Sequence, residues 1–213
     1  YFVKIMNQKN SLGLNNCFLE LNDPIELFEV WMEEAKKTEL NDPNALALAT
    51  SDSNNSPSVR MVLLKDFNKS GFVFYTNLKS QKGNELEINP KASMCFHWKS
   101  LLRQIRINGT VKKVSNKVAD IYYNSRDYES RIGAWASKQS SILKNRDELI
   151  KSIDEYRKKY ENKDLVPRPE HWSGWNLNPS SIEFWLDGDN RIHERLKYTK
   201  DKNGDWNKSL LSP

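Results

Sequence analysis

A chain of 213 residues with 38% hydrophobic and 11% aromatic content can bury a sizeable core, which excludes wholesale disorder. Its net charge of +5 comes from 33 Lys and Arg scattered among 28 Asp and Glu, without the basic stripe of a nucleic-acid binder; this balance suits a few cations gathered around small phosphorylated ligands. Cys17 and Cys95 stand alone and the three His (His97, His171, His193) lack metal-ligand spacing, so no metal is expected, while two unpaired thiols and no apolar run of about 20 residues predict a cytoplasmic protein without membrane contact.

Residues 1–22 are Asn-rich and predicted to be loosely held, with residues 23–213 forming one domain. Asp23-Pro24-Ile25-Glu26 reads as a helix start: Asp23 caps, Pro24 takes the first helical position and Glu26 lies three residues after the cap. Leu27, Phe28, Trp31 and Ala35 then give one apolar face, which predicts a helix to about Thr38. Short β-branched and aromatic runs predict strands over 45–50, 59–65, 72–76, 92–98 and 104–114, with turn chemistry at 53–56 and 68–71 and a short helix over 81–89. Helices are predicted over 116–124, 129–136 and 146–160. A Pro-containing connector at 166–169 leads back to strands over 181–186, 191–198 and near Trp206. This order predicts a mainly β, α+β fold: an antiparallel barrel or sandwich with flanking helices, its late strands completing an early sheet.

Several side chains could carry chemistry. Arg191, His193 and Arg195 alternate along a predicted strand, which places three heads on one face that meets an anion or solvent; taken alone, an exposed edge strand explains them better. On the preceding strand Ile182, Phe184 and Leu186 form the core side and Glu183 and Trp185 the other, where a Trp needs a ligand, a subunit contact or a second layer. Arg60 and Lys65 fall on opposite faces of a regular strand and serve one ligand only if the strand bulges or ends before Lys65. Ser80-Gln81-Lys82 opens a helix whose N-terminus either binds phosphate or is simply capped by Ser80. Gln104 and Arg106 share a strand face, and Tyr122, Arg126 and Ser130 recur every four residues as a polar stripe with phosphate-binding chemistry, unless the helix breaks at 125–127. The run 125–141 closes with Ser137, Lys138, Gln139, Ser140 and Ser141. It is read as a set of donors for an anionic or carbonyl-rich ligand, or as a helix end with Ser140 or Ser141 capping the next element.

Taken in chain order, Arg60-Met-Val-Leu-Leu-Lys65, Phe74-Tyr-Thr-Asn77, Arg103-Gln104, Ser125-Arg126, Ile132-Gly-Ala-Trp135, Ser137–Ser141, Glu183-Phe-Trp185 and Arg191-Ile-His-Glu-Arg195 resemble the pyridoxamine 5′-phosphate oxidase family from about Asp23 onward. The resemblance implies a homodimeric FMN-binding split β-barrel with FMN at the subunit interface. It also implies oxidation of pyridoxine or pyridoxamine 5′-phosphate to pyridoxal 5′-phosphate, with O2 as acceptor and H2O2 as product. By motif, FMN is expected on Arg60, Met61, Val62, Leu63, Lys65, Tyr75, Thr76, Gln81, Lys82, Gln104, Gln139, Ser140, Trp185 and Arg195. The substrate phosphate is expected on Lys65, Tyr122, Arg126 and Ser130, with Arg191, Ile192 and His193 over the pyridine ring and Arg191 and His193 as catalytic residues. The alternatives are a split-barrel oxidoreductase with another substrate, or a non-catalytic flavin- or pyridoxal-phosphate-binding protein. The pattern departs from the family at Gln81 for Arg, Asp127 for Pro, Leu186 for Gln and Leu210 for Arg; the lost cation at 81 and the added carboxylate at 127 are expected to weaken phosphate binding.

Overall fold

The computed structural model describes residues 18–162 and 166–213; residues 1–17, with Cys17, lie outside the described residues. Helix α1 (Pro24–Thr38) starts as the sequence predicts, with the Asp23 carboxylate accepting the Ile25 N–H at 2.9 Å. Its apolar face goes fully inside: Leu27, Phe28, Trp31 and Ala35 have no exposed surface. Phe28 meets Phe67, Phe72 and Phe96 edge-on at 4.9, 4.9 and 5.3 Å, an arrangement that aromatic quadrupoles favour. Phe18 packs on Trp31 at 5.6 Å, and the Leu21 carbonyl accepts the Tyr198 hydroxyl, so the residues just before α1 are tied to the core.

The strands are β1 (Ala45–Ser51), β2 (Pro57–Leu63), β3 (Asp66–Asn68), β4 (Gly71–Asn77), β5 (Lys91–Trp98), β6 (Arg103–Lys113), β7 (Trp172–Leu186), β8 (Glu194–Lys200) and β9 (Trp206–Leu210). They form one antiparallel sheet in the order β2-β1-β5-β6-β7-β4-β3, with β8 added to β7 and β9 to β8. Helices α2 (Gln81–Ile88), α3 (Asn116–Asn124), α4 (Tyr128–Ala136) and α5 (Arg146–Lys159) flank it. No helix among the described residues is long and apolar enough to cross a membrane.

Strand β7 organises the sheet. Its residues 172–177 pair with β4 and residues 181–186 with β8, while β6 runs beside both halves. The sequence predicts only the second half. Ser173, Gly174, Asn176, Asn178 and Pro179 are poor strand formers, and pairing with β4 (Ser173, Gly174), with β6 (Asn178, Pro179) or with both (Asn176) overrides their preference. Pro179 is accommodated where the β6–β7 register shifts at Asn108/Gly109. The backbones approach so closely there that a Cβ on Gly109 would lie 2.1 Å from the Asn178 carbonyl oxygen.

Three further expectations need correction. The predicted strand over 59–65 ends at Leu63, and Lys65 sits in the corner before β3. The predicted strand over 191–198 begins only at Glu194; Asp189–Arg191 is a 3-10 turn with Asn190 and Arg191 at φ 56° and 64°. Arg191, His193 and Arg195 therefore do not alternate on one strand face. Asp187-Gly188-Asp189-Asn190 is strong turn chemistry, and Gly188 is required because a Cβ there would lie 1.9 Å from the Ile192 carbonyl oxygen. Finally, α5 is capped by Asn145, whose side chain accepts the Glu148 N–H at 3.0 Å, not by Ser140 or Ser141.

Candidate active site

A cleft of about 780 Å³ opens between the β2–β3 corner, the end of β4, α2 and the α3–α4 pair. Of the residues singled out in the sequence, Met61, Val62, Leu63, Lys65, Tyr75, Thr76, Lys82, Tyr122, Arg126, Ser130 and Gln139 line it. The helix does break between Tyr122 and Ser130, yet both still face the cleft. Asp127 caps α4 by accepting the Ser130 N–H at 2.8 Å, and α4 resumes on the same side. Hydrogen bonds from the Ser130 backbone and then its hydroxyl hold the Asp127 carboxyl below its ordinary range. The carboxylate standing at this position is thus directed at helix amides, where a negative charge is favourable.

Besides exposed Lys65, two cations lining the cleft join no salt bridge among the described residues. Lys82, on the first turn of α2, is buried, and among the described residues its ammonium donates to the Thr76 and Ser80 hydroxyls at 3.3 and 3.5 Å. Burial pushes its pKa down, helped by Arg60, while Glu85 opposes the shift. Ser80 caps this helix through the Gly83 N–H, so cap and anion chemistry coexist at one helix start. Arg126, between α3 and α4, has a buried Nη1 without a hydrogen-bond partner, and among the described residues it joins no salt bridge. Burial lowers its pKa, with Tyr123, Tyr122 and Asp127 offsetting. Buried cations without counter-ions are costly unless an anion joins them. The two cations come from different elements, Lys82 from α2 and Arg126 from the α3–α4 junction, and each could take up an anionic group.

The floor between them is aromatic and polar. Tyr75 stacks on Tyr122 at 4.0 Å and on Trp172 at 5.2 Å, and the Thr76 hydroxyl donates to the Gln139 side chain at 3.3 Å. Asn77 donates to the Ser137 carbonyl at 3.4 Å, fixing the loop after α4 against β4. The polar run 137–141 is therefore partly a wall of the cleft, with Ser137 and Gln139 on its lining. Ser140 sits exposed at φ 69° in the turn and does not line the cleft. Trp172 lines the cleft and was not singled out in the sequence, because the strand it opens carries too little β signal to be read.

Arg60 faces away from the cleft lining. Its guanidinium reaches Thr50, Ser58 and Glu85, the last at 3.1 Å, and Gln81 donates to the same carboxylate at 2.9 Å. Burial alone would raise the Glu85 pKa, but hydrogen bonds from Thr50, Ser58, Gln81 and Arg60 outweigh it and bring it to about 2. A carboxyl depressed in the fold contributes stability above its unfolded pKa of about 4.5 and loses it as pH falls toward 2. Chemical denaturation followed from pH 6 to pH 2.5 should show stability falling through that window, and E85Q should remove part of the slope.

The remaining residues form a second constellation at the far end of β7. Gln104 of β6, Trp185 of β7 and Arg195 of β8 are direct cross-strand neighbours on one face. The His193 ring packs on Trp185 at 4.7 Å, and its Nδ1 lies 3.2 Å from both the Gly188 N–H nitrogen and an Asp187 carboxylate oxygen. The Arg195 Nε donates at 2.8 Å to Glu183, which is buried and also pairs with Arg106 at 3.5 Å. Arg191 and Ile192 are exposed on the turn between β7 and β8. From Trp172 in the cleft to Trp185 here is roughly 40 Å along the strand at about 3.3 Å per residue. None of the residues in this second group lines the cleft; across the sheet Gln104 opposes His97 of β5, and the cleft residue Leu63 on edge strand β2 opposes Ala45 of β1, so this group lies on the same sheet several strands from the β2 side of the cleft lining.

A family model described as pyridoxamine 5′-phosphate oxidase matches residues 32–160, and one described as the pyridoxine 5′-phosphate oxidase C-terminal dimerisation region matches residues 172–213. A pyridoxine/pyridoxamine 5′-phosphate oxidase of Pelagibacter ubique is 82% identical over 208 residues, covering 98% of this chain and all of the relative. One from Bartonella quintana is 52% identical, covering 96% of this chain and 99% of the relative. Among solved structures, PhzG from Burkholderia lata, in complex with tetrahydrophenazine-1-carboxylic acid, superposes with a TM-score of 0.88 at 30% identity over 97% of this chain and all of the other. A pyridoxamine 5′-phosphate oxidase-related, FMN-binding protein from Nostoc punctiforme shares the fold, with a TM-score of 0.73 at 16% identity over 91% of this chain and 99% of the other.

Proposed function

The chain belongs to the pyridoxamine 5′-phosphate oxidase family, and on that premise we propose that its cleft holds FMN and oxidises pyridoxine and pyridoxamine 5′-phosphates to pyridoxal 5′-phosphate, with O2 as acceptor and H2O2 as product. The single observation that carries this reading is one cleft with two cations on different elements that join no salt bridge among the described residues: buried Lys82 on α2, and half-buried Arg126 at the α3–α4 junction with its Nη1 buried and unsatisfied. One suits the cofactor phosphate and the other the substrate phosphate.

Bound FMN supplies the hydride acceptor and its reoxidation by oxygen. The chain's own residues bind, orient and shield. Lys82, Thr76 and the α2 N-terminus take the cofactor phosphate; Arg126, Lys65, Tyr122 and Ser130 take the substrate phosphate. Anchoring the substrate by its phosphate fixes the reacting carbon without any protein nucleophile. Gln104, Trp185 and Arg195, with Arg191 and His193 beside them, complete the site from the second protomer of a homodimer, a reading supported by their absence from the cleft lining of their own chain. Of this second group, Trp185, Arg191, His193 and Arg195 lie in the segment matched by the dimerisation-region model, residues 172–213, and Gln104 does not. An exposed apolar stripe on edge strand β2, with Val59 68% and Met61 66% exposed, offers further surface for that contact.

The purified protein should be yellow, and pyridoxine 5′-phosphate or pyridoxamine 5′-phosphate added in air should yield pyridoxal 5′-phosphate and peroxide in equal amounts. Yellow protein that releases peroxide with neither substrate sinks the assignment.

A further inference from the structure

We propose that Trp172 is a positioning residue that presents Arg126 to the substrate phosphate; this rests on the reading of Arg126 given above. The Arg126 Cζ lies 4.9 Å from the Trp172 ring centroid and 5.9 Å from that of Tyr123. A carboxylate would hold the guanidinium as well, but it would occupy the N–H donors and cancel the charge an anion needs. An aromatic face holds the cation and leaves its in-plane donors open. Arg126 has that arrangement, with a buried Nη1 that no protein group satisfies.

Trp172 is itself rigidly placed. It is 6% exposed, and it pairs with Asn77 at the first position of the β4–β7 ladder. Its backbone N–H donates to the Pro169 carbonyl at 2.9 Å, and its carbonyl accepts the Arg168 Nη1 at 2.7 Å. Arg168 also reaches Asp120 at 2.6 Å and Asn116 at 3.1 Å, so the start of β7 is tied to α3, the helix that leads into Arg126. The indole stacks on Tyr75 within 9° of parallel and meets Tyr123 edge-on at 5.1 Å. Trp172 thus connects the end of β4, helix α3 and the phosphate cation.

The test compares W172F, W172L and R126A in the FMN-loaded dimer, with steady-state kinetics on pyridoxine 5′-phosphate and on unphosphorylated pyridoxine, FMN affinity by fluorescence and thermal midpoints. W172L should raise KM for the phosphorylated substrate about tenfold, with kcat and FMN affinity within about twofold, and preference for the phosphorylated over the unphosphorylated substrate should fall by the same factor. W172F retains a ring and should lose about threefold or less. If R126A loses this preference while W172F and folded W172L keep it, the proposal is overturned. If R126A itself keeps the preference, the reading beneath it fails instead. Should W172L not fold, W172F and W172Y against W172H supply the series, and a KM that does not track the ring's π-face overturns the proposal.

Discussion

Arg126→Ala should raise KM for pyridoxine 5′-phosphate about a hundredfold while leaving the protein yellow and FMN affinity nearly unchanged. The factor comes from losing two charge-assisted hydrogen bonds of about 1.5 kcal/mol or more each from one guanidinium fork. The selectivity comes from placement: Lys82, not Arg126, is the cation at the α2 N-terminus, and the two sit on separate walls of the cleft. Stability should move the other way. Arg126 has no counter-ion and a buried Nη1 without a partner, so its removal relieves a desolvation cost. A thermal midpoint equal to or above that of the parent is therefore expected. Arg126→Lys should fall between, since an ammonium keeps the charge but lacks the planar fork that the guanidinium carries over the Trp172 ring. Equal losses of substrate and FMN binding in R126A would overturn the assignment of the two cations.

Legibility in the sequence tracked the strength of local signals. The α1 start was legible because Asp23-Pro24 and the Leu27, Phe28, Trp31, Ala35 spacing agree with each other, and burial rewards the same face. The cleft residues from Met61 to Gln139 are legible as ordered motifs, and the structure brings eleven of the residues expected to bind cofactor or substrate to one lining. Trp172 is not, because Ser173, Gly174, Asn176 and Pro179 mask a strand that exists through pairing on both edges. Arg191 and His193 were placed on a strand by a period-two pattern, whereas Gly188 and the positive φ of Asn190 and Arg191 turn the chain there. A period of two in three residues is weak when turn residues stand directly before it. Arg60 shows a different limit. Its motif position was clear, but its partner Glu85 is 25 residues away on another element, and only folding shows that the pair satisfies itself.

Mixing two impaired variants, assayed at substrate well below the raised KM of Arg126→Ala, should restore about a quarter of parental activity. Arg126→Ala damages the cleft half of each site, and Arg195→Ala damages the β7–β8 half. If each active site takes one half from each protomer, both homodimers carry two defective sites. A mixed dimer gathers both defects into one site and leaves the other intact. Random assembly makes half the dimers mixed, so about a quarter of all sites recover under two-fold symmetry. Were both halves drawn from one chain, mixing would restore nothing, because every site would keep its own defect. The geometry favours recovery: Trp172 and Trp185 open and nearly close the same strand, with β4 paired to one end and β8 to the other. Co-expression with separable tags, isolation of the doubly tagged dimer and a peroxide assay give the reading. For that purified heterodimer the expected recovery is about one half, since one of its two sites is whole. A doubly tagged dimer with no activity above its parents would overturn the shared site, even if the protein proves dimeric and yellow.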